Sequence, residues 1–158
     1  MTEPEPEAVQ AGATQPNAGY RPPDLALLGE EHIRRYQETD GDIGYLWNGA
    51  PTLLLTTTGR RTGEARTSAL IFGRYGKDYL IVASMGGAPK HPQWYLNLTA
   101  NPEVEIQVKG EHIRTTARTA TPDEKPRLWG VVTGVWPNYD VYQTRTERDI
   151  PVVVLSPQ

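Results

Sequence analysis

A chain of 158 residues with 37% hydrophobic content is long enough for one domain with a substantial core, and none of its apolar runs reaches the length that crosses a membrane as a helix. It has no cysteine, which excludes disulfides, thiol catalysis and Cys-based zinc and fits a reducing cytoplasm. The formal net charge of −3 is carried by the first 24 residues, where Glu3, Glu5, Glu7 and Asp24 outnumber Arg21; the remaining acids and bases balance, which argues against a general nucleic-acid binder.

Residues 1–23 have neither the basic start nor the apolar stretch of a secretory signal, and their proline, glutamate, alanine and glycine content reads as a disordered tail ahead of one domain over 24–158. Asp24 can cap a helix carrying Leu25, Leu28, His32 and Tyr36 on one side, ending around Thr39-Asp40-Gly41. Glu30, Glu31 and Glu38 offset Arg34 and Arg35, so this helix is expected to pack on a sheet and not on an anionic membrane.

After Tyr45-Leu46-Trp47 and a loop, strands are expected at about 51–58, 65–74 and 78–84, the latter two joined by the turn Tyr75-Gly76-Lys77. The first two enclose Thr56-Thr57-Thr58-Gly59-Arg60-Arg61-Thr62-Gly63-Glu64-Ala65-Arg66, a tight turn bearing three arginines. Guanidinium forks beside free backbone N–H groups suit a phosphate or carboxylate. A solvated hairpin with surface arginines is the plainer alternative.

The third strand delivers Val82-Ala83-Ser84-Met85-Gly86-Gly87, whose glycines let backbone amides approach a flat heterocycle. Pro92 then starts a short helix through Leu98, stopped by Asn101-Pro102. Val104, Ile106 and Val108 alternate with polar residues as a half-buried strand, and a turn at Gly110 returns the chain as a strand over 112–120. Thr121-Pro122-Asp123-Glu124 fits a capping box for a helix over about 122–135. A short helix from Pro137 to about Gln143 lets Tyr139 and Tyr142 point the same way. The run Ile150-Pro151-Val152-Val153-Val154-Leu155 is apolar throughout, as a strand buried on both faces would be. The expected fold is α+β and mainly β: about six mostly antiparallel strands with flanking helices, closed into a small barrel that leaves no exposed edge. His32, His91 and His112 fall on different elements without ligand spacing, so no metal site is expected.

Three segments, TTTGRRTGEAR, ASMGGAPKHPQWYLNLTANP and WPNYDVYQTRTERDIPVVVL, resemble in order and spacing the deazaflavin-dependent nitroreductase family, the mycobacterial and actinobacterial reductases that use coenzyme F420. The resemblance covers about residues 42 to 156. It implies a split β-barrel related to FMN-binding barrels and an oxidoreductase that passes a hydride from reduced F420 to a small quinone, enone or nitroaromatic acceptor. A barrel using FMN or haem, and a carrier or sensor that holds the deazaflavin without turnover, are the alternatives.

By this resemblance the coenzyme's phospholactyl-glutamyl tail lies near Arg60, Arg61 and Thr62 and along Arg66, Thr67, Ser68, Ala69, Leu70 and Ile71. The polar edge of its ring meets Val82, Ala83, Ser84 and Met85; helix contacts come from Gln93, Trp94, Tyr95, Leu96 and Asn97; Tyr139 stands beside the ring and the acceptor. Tyr139, Tyr142 and Ser84 are the candidate catalytic residues, because negative charge developing on an acceptor oxygen is stabilised by a hydroxyl. Arg61 and Met85 stand where lysine occurs in relatives, and Ile71 where some have tyrosine, so activation of nitroimidazoles is not inferred. No stable membrane insertion is expected, and flavin-barrel relatives suggest a homodimer.

Overall fold

The computed structural model of the chain describes residues 27–158. The tail, the boundary at residue 24, the Asp24 cap and Leu25 lie outside the described residues. The first described helix, α1 (Gly29–Thr39), follows an extended Leu28, buries His32 and Tyr36, and ends at Asp40 with φ 52°. A short polar side chain tolerates this left-handed conformation and so stops the helix where a glycine would otherwise be wanted.

Eight strands follow in place of about six. They are β1 (Leu46–Trp47), β2 (Ala50–Thr58), β3 (Ala65–Ile71), β4 (Gly73–Tyr75), β5 (Asp78–Val82), β6 (Glu103–Val108), β7 (Glu111–Thr119) and β8 (Val152–Pro157). Helices α2 (Gln93–Ala100), α3 (Lys125–Val135) and α4 (Asn138–Thr144) occupy the connections. The expected capping box forms: the Thr121 N–H donates to Glu124 Oε2 at 2.8 Å and the Glu124 N–H to Thr121 Oγ1 at 3.4 Å, although regular helix begins only at Lys125.

Both extra strands have local causes. β1 pairs with the start of β2 across Asn48-Gly49, whose φ values of 51° and 79° make the two-residue turn that an Asn-Gly pair favours. The expected strand 65–74 is divided at Phe72 because its two halves pair with different neighbours, β3 with β2 and β4 with β5. The path β2-β6-β7-β8-β5 is antiparallel throughout. One bent strand therefore joins both ends of that path, and the sheet closes as a split barrel with Phe72 at the corner.

The apolar closing run is explained by its position between two cores. Val153 and Leu155 of β8 join Tyr79 and Ile81 of β5 in the interior with Leu53, Leu55, Phe72 and Ile106. Val152, Val154, Leu80 and Val82 face the other way, against Leu128, Val132 and Trp136. Burying two side-chain faces removes the need for a polar one. This second core seats α3 and α4 against the barrel, and with them the aromatic segment that begins at Trp136.

Candidate active site

A groove of about 610 Å³ runs between β3, the loop after β5, the start of α2, the first turn of α1 and α4. Thr67, Ser68, Ala69, Leu70 and Ile71 form its floor; Val82, Ser84, Met85, Gln93, Trp94, Tyr139 and Tyr142, also expected site residues, line its walls. Ala83, Tyr95, Leu96 and Asn97 do not line it, nor do Arg60, Arg61, Thr62 and Arg66, which lie on and beside the turn leading into β3.

Within that turn the three arginines are in different states. Arg60 is engaged internally: its backbone N–H and Nη1 donate to Asn97 Oδ1 at 3.2 and 2.8 Å, and Nη2 to Gln93 Oε1 at 2.9 Å. Asn97 is buried and also donates through Nδ2 to Thr57 Oγ1, so the pair ties the turn to α2. Arg66 forms an exposed ion pair of 3.5 Å with Glu64, an arrangement worth little in water. Thr62 Oγ1 accepts the Glu64 N–H at 3.2 Å and shapes the turn itself. Arg61 is exposed and, among the described residues, has no ion pair or hydrogen bond; it is the cation free to meet an anion.

Ser84 ends β5's extension, and Met85, Gly86 and Gly87 follow with φ of 48°, 65° and 88°. This succession turns the chain back on itself. Gly87 N–H donates to Ser84 O at 2.9 Å and Ala88 N–H to Met85 O at 3.1 Å, while among the described residues no protein acceptor takes the N–H groups of Ser84, Met85 and Gly86. The glycine at 87 is required by close approach, since a Cβ there would lie 2.6 Å from the Tyr142 carbonyl oxygen.

The opposite end of the groove is aromatic. Trp47 and Trp136 rings lie 5.6 Å apart, and Tyr139 is flanked by Tyr142 and Trp129 at 6.1 and 6.3 Å. Tyr139 is 5% exposed, and burial, reinforced by the Tyr142 phenol, raises it above the ordinary phenol value; it stays protonated across the physiological range. No partner among the described residues takes a hydrogen bond from its hydroxyl. The Tyr142 oxygen accepts long hydrogen bonds of 3.4 Å from Trp136 Nε1 and Asn138 Nδ2. Two donors on its lone pairs direct its own O–H hydrogen elsewhere.

Several groove residues were not foreseen from sequence. Leu28, Gly29, Glu30, His32 and Ile33 of the α1 region, with Trp47 and Arg145, also line it. The buried His32 places Nε2 at 2.8 Å from Gly44 O, as a donor to that carbonyl. Arg148 holds the loop after β5 from behind, donating to the carbonyls of Ala83, Ser84 and Ala88 at 3.1, 2.9 and 2.8 Å. The Ala83 and Ser84 carbonyls are thus engaged from within the protein, and Ala83 N–H is bonded to Pro151 O. No group of three or more potential metal ligands occurs among the described residues, and no helix among them is long and apolar enough to cross a membrane.

Comparison with known proteins agrees with this architecture. Residues 28–157 match the family model described as F420H(2)-dependent quinone reductase. An F420H(2)-dependent quinone reductase of Mycobacterium tuberculosis is 48% identical over 129 residues, covering 79% of this chain and 87% of that protein. A solved F420-H2 dependent reductase is 39% identical with a TM-score of 0.63, over 67% of this chain and 94% of that one. Another structure, described as a domain-swapped dimer, is 36% identical with a TM-score of 0.66, over 78% and 96% of the two chains. A haem binding protein from Mycobacterium smegmatis shares the fold at 18% identity and a TM-score of 0.54, covering 68% of this chain and 46% of that one. The chain belongs to the F420H(2)-dependent quinone reductase family.

Proposed function

We infer that the groove binds reduced coenzyme F420 along β3, with the anionic tail toward Arg61 and Arg66 and the ring toward the Ser84–Gly87 turn and Tyr139. The family makes the chain an oxidoreductase with reduced F420 as hydride donor and a quinone as acceptor. The observation that carries the placement is the groove itself: it runs along β3, past Ser84, Met85 and Gly86, whose backbone N–H groups are untaken among the described residues, to two phenols, and the turn that bears the unengaged Arg61 leads into β3 outside its lining. The fit is chemical as well as spatial. A phosphodiester and carboxylate tail matches Arg61, and a planar ring with polar edges matches the N–H groups of Ser84, Met85 and Gly86.

When bound, the coenzyme supplies the hydride, so the protein contributes position and electrostatics and no strong acid or base. Ile71, Val82, Trp47 and Trp136 keep water from the reacting end. Tyr139 and Tyr142 offer O–H donors toward an acceptor oxygen as it gains charge, and the Ser84 hydroxyl lies on the same wall. Enones and nitroaromatics present the same kind of oxygen and complete the proposed acceptor range. The absence of cysteine favours a cytoplasmic site of action, and the domain-swapped relative favours a homodimer, which light scattering would measure.

The reading predicts that reduced F420 supports menadione reduction by the purified protein and that NADPH with FMN does not. Equal turnover with NADPH and FMN would overturn it in favour of a flavin barrel. Tight binding of F420 with no turnover of any acceptor would establish a carrier instead.

A further inference from the structure

Arg148 lies between α4 and β8, and its guanidinium is committed to a single loop. Nε donates to Ala88 O at 2.8 Å, Nη2 to Ser84 O at 2.9 Å and Nη1 to Ala83 O at 3.1 Å; Nη1 also lies 3.1 Å from His91 Nδ1. No carboxylate pairs with it among the described residues, although Glu147 and Asp149 flank it in the chain. The accepting atoms come from both ends of the stretch 83–91, so one planar cation fixes the ends between which Met85, Gly86 and Gly87 turn. A lysine has no fork with which to span them.

The contact with His91 has a sign. Arginine offers only donors, so a 3.1 Å approach requires the lone pair on Nδ1 and leaves the neutral ring's proton on Nε2. Protonation would set N–H against N–H and a second positive charge against the first. The groups around His91 do nothing to offset this: the Tyr95 ring from α2 lies against it, tilted, with centroids 4.8 Å apart, the exposed Lys90 precedes it, and Arg148 is the charge that acts on it. Burial and the Arg148 cation both hold His91 below the ordinary imidazole value.

From this geometry we propose that Arg148 is the positioning residue for the Ser84–Gly87 wall of the groove, and that its contact with His91 is an acid-sensitive latch. With His91 neutral the loop keeps the shape that lines the groove. With His91 protonated the contact breaks and the wall loosens. Because the folded protein favours the neutral ring, the latch is complete above the ordinary histidine range and is lost as pH falls through the folded-state value, which lies below the ordinary one. The consequence for coenzyme binding rests on placing the coenzyme in this groove.

The test compares wild type with His91→Asn, whose side-chain oxygen can still accept from Arg148 but does not titrate. In the coenzyme-free protein, hydrogen-exchange protection of the Gly87 and Ala88 amides, corrected for intrinsic exchange, should fall about tenfold or more between pH 7 and pH 5 in wild type and stay level in the variant. The dissociation constant of oxidised F420 should rise by a similar factor in wild type relative to the variant; the coenzyme's own ionisations cancel in that ratio. Arg148→Lys should lose the protection at both pH values, and if it fails to fold the histidine comparison stands by itself. Identical protection profiles in wild type and His91→Asn would overturn the latch. A loop that opens in acid only in wild type, with no relative change in F420 affinity, would support the latch and overturn the placement of the coenzyme.

Discussion

At the scale of single residues, one sequence motif divides into three jobs. Arg60 is bonded to Asn97 and Gln93, so Arg60→Ala should lower thermal stability by removing both guanidinium bonds and leaving the buried Asn97 oxygen only the longer backbone N–H bond at residue 60. Arg61 has no hydrogen bond or ion pair among the described residues, so Arg61→Ala should leave stability unchanged and raise the F420 dissociation constant about tenfold, the size of one charge-assisted hydrogen bond, with a smaller effect in high salt. Arg66 is shared with Glu64, and its removal should cost less affinity than that of Arg61. Fluorescence titration of the three variants against thermal melts separates these roles; equal binding losses at 60 and 61 would refute the division. A second pair of substitutions separates ring from hydroxyl. Tyr139→Phe should keep F420 affinity and lower kcat with menadione if the phenol donates to the acceptor, whereas Tyr139→Ala should harm both. Parental kinetics in both variants would make Tyr139 a packing residue.

At the scale of elements, the loop after β5 and α4 are mutually fitted. A Cβ on Gly87 would stand 2.6 Å from Tyr142 O and 2.8 Å from Arg145 Cβ, at a backbone φ of 88°. Gly87→Ala is therefore expected to destabilise by about 2 kcal/mol or more and to reduce turnover by displacing Tyr142. Calorimetry and menadione kinetics check both parts; an unchanged melt would mean that α4 yields freely. What was legible in the sequence follows the same line. Alternation in Val104–Val108, the Thr121–Glu124 box and the Gly-Gly turn are local signals, and each appears near its expected place. The break at Phe72 was not legible, because it arises from a change of partner strand and not from a residue that forbids β structure. The Asn48-Gly49 pair is a local signal for the turn that makes β1.

At the scale of the whole molecule, the fold brings together what the chain separates. The residues expected from β3, the loop after β5 and α4 meet along one groove, yet the wall formed by Leu28–Ile33 and Trp47, and the clamp from Arg148, depend on how α1 and the segment before β8 dock on the barrel. No local pattern encodes that docking. The central claim is that this groove holds the reduced deazaflavin while its hydride passes to a quinone, and the most direct measurement fills the groove. Ala69 lies on its floor, and Ala69→Trp would occupy the coenzyme's space. Oxidation of reduced F420 by menadione, followed by the return of deazaflavin absorbance, should be rapid with wild type and lost, together with F420 binding, in an Ala69→Trp protein whose circular dichroism and melting behaviour are preserved. Parental turnover and affinity in that folded variant would contradict the account.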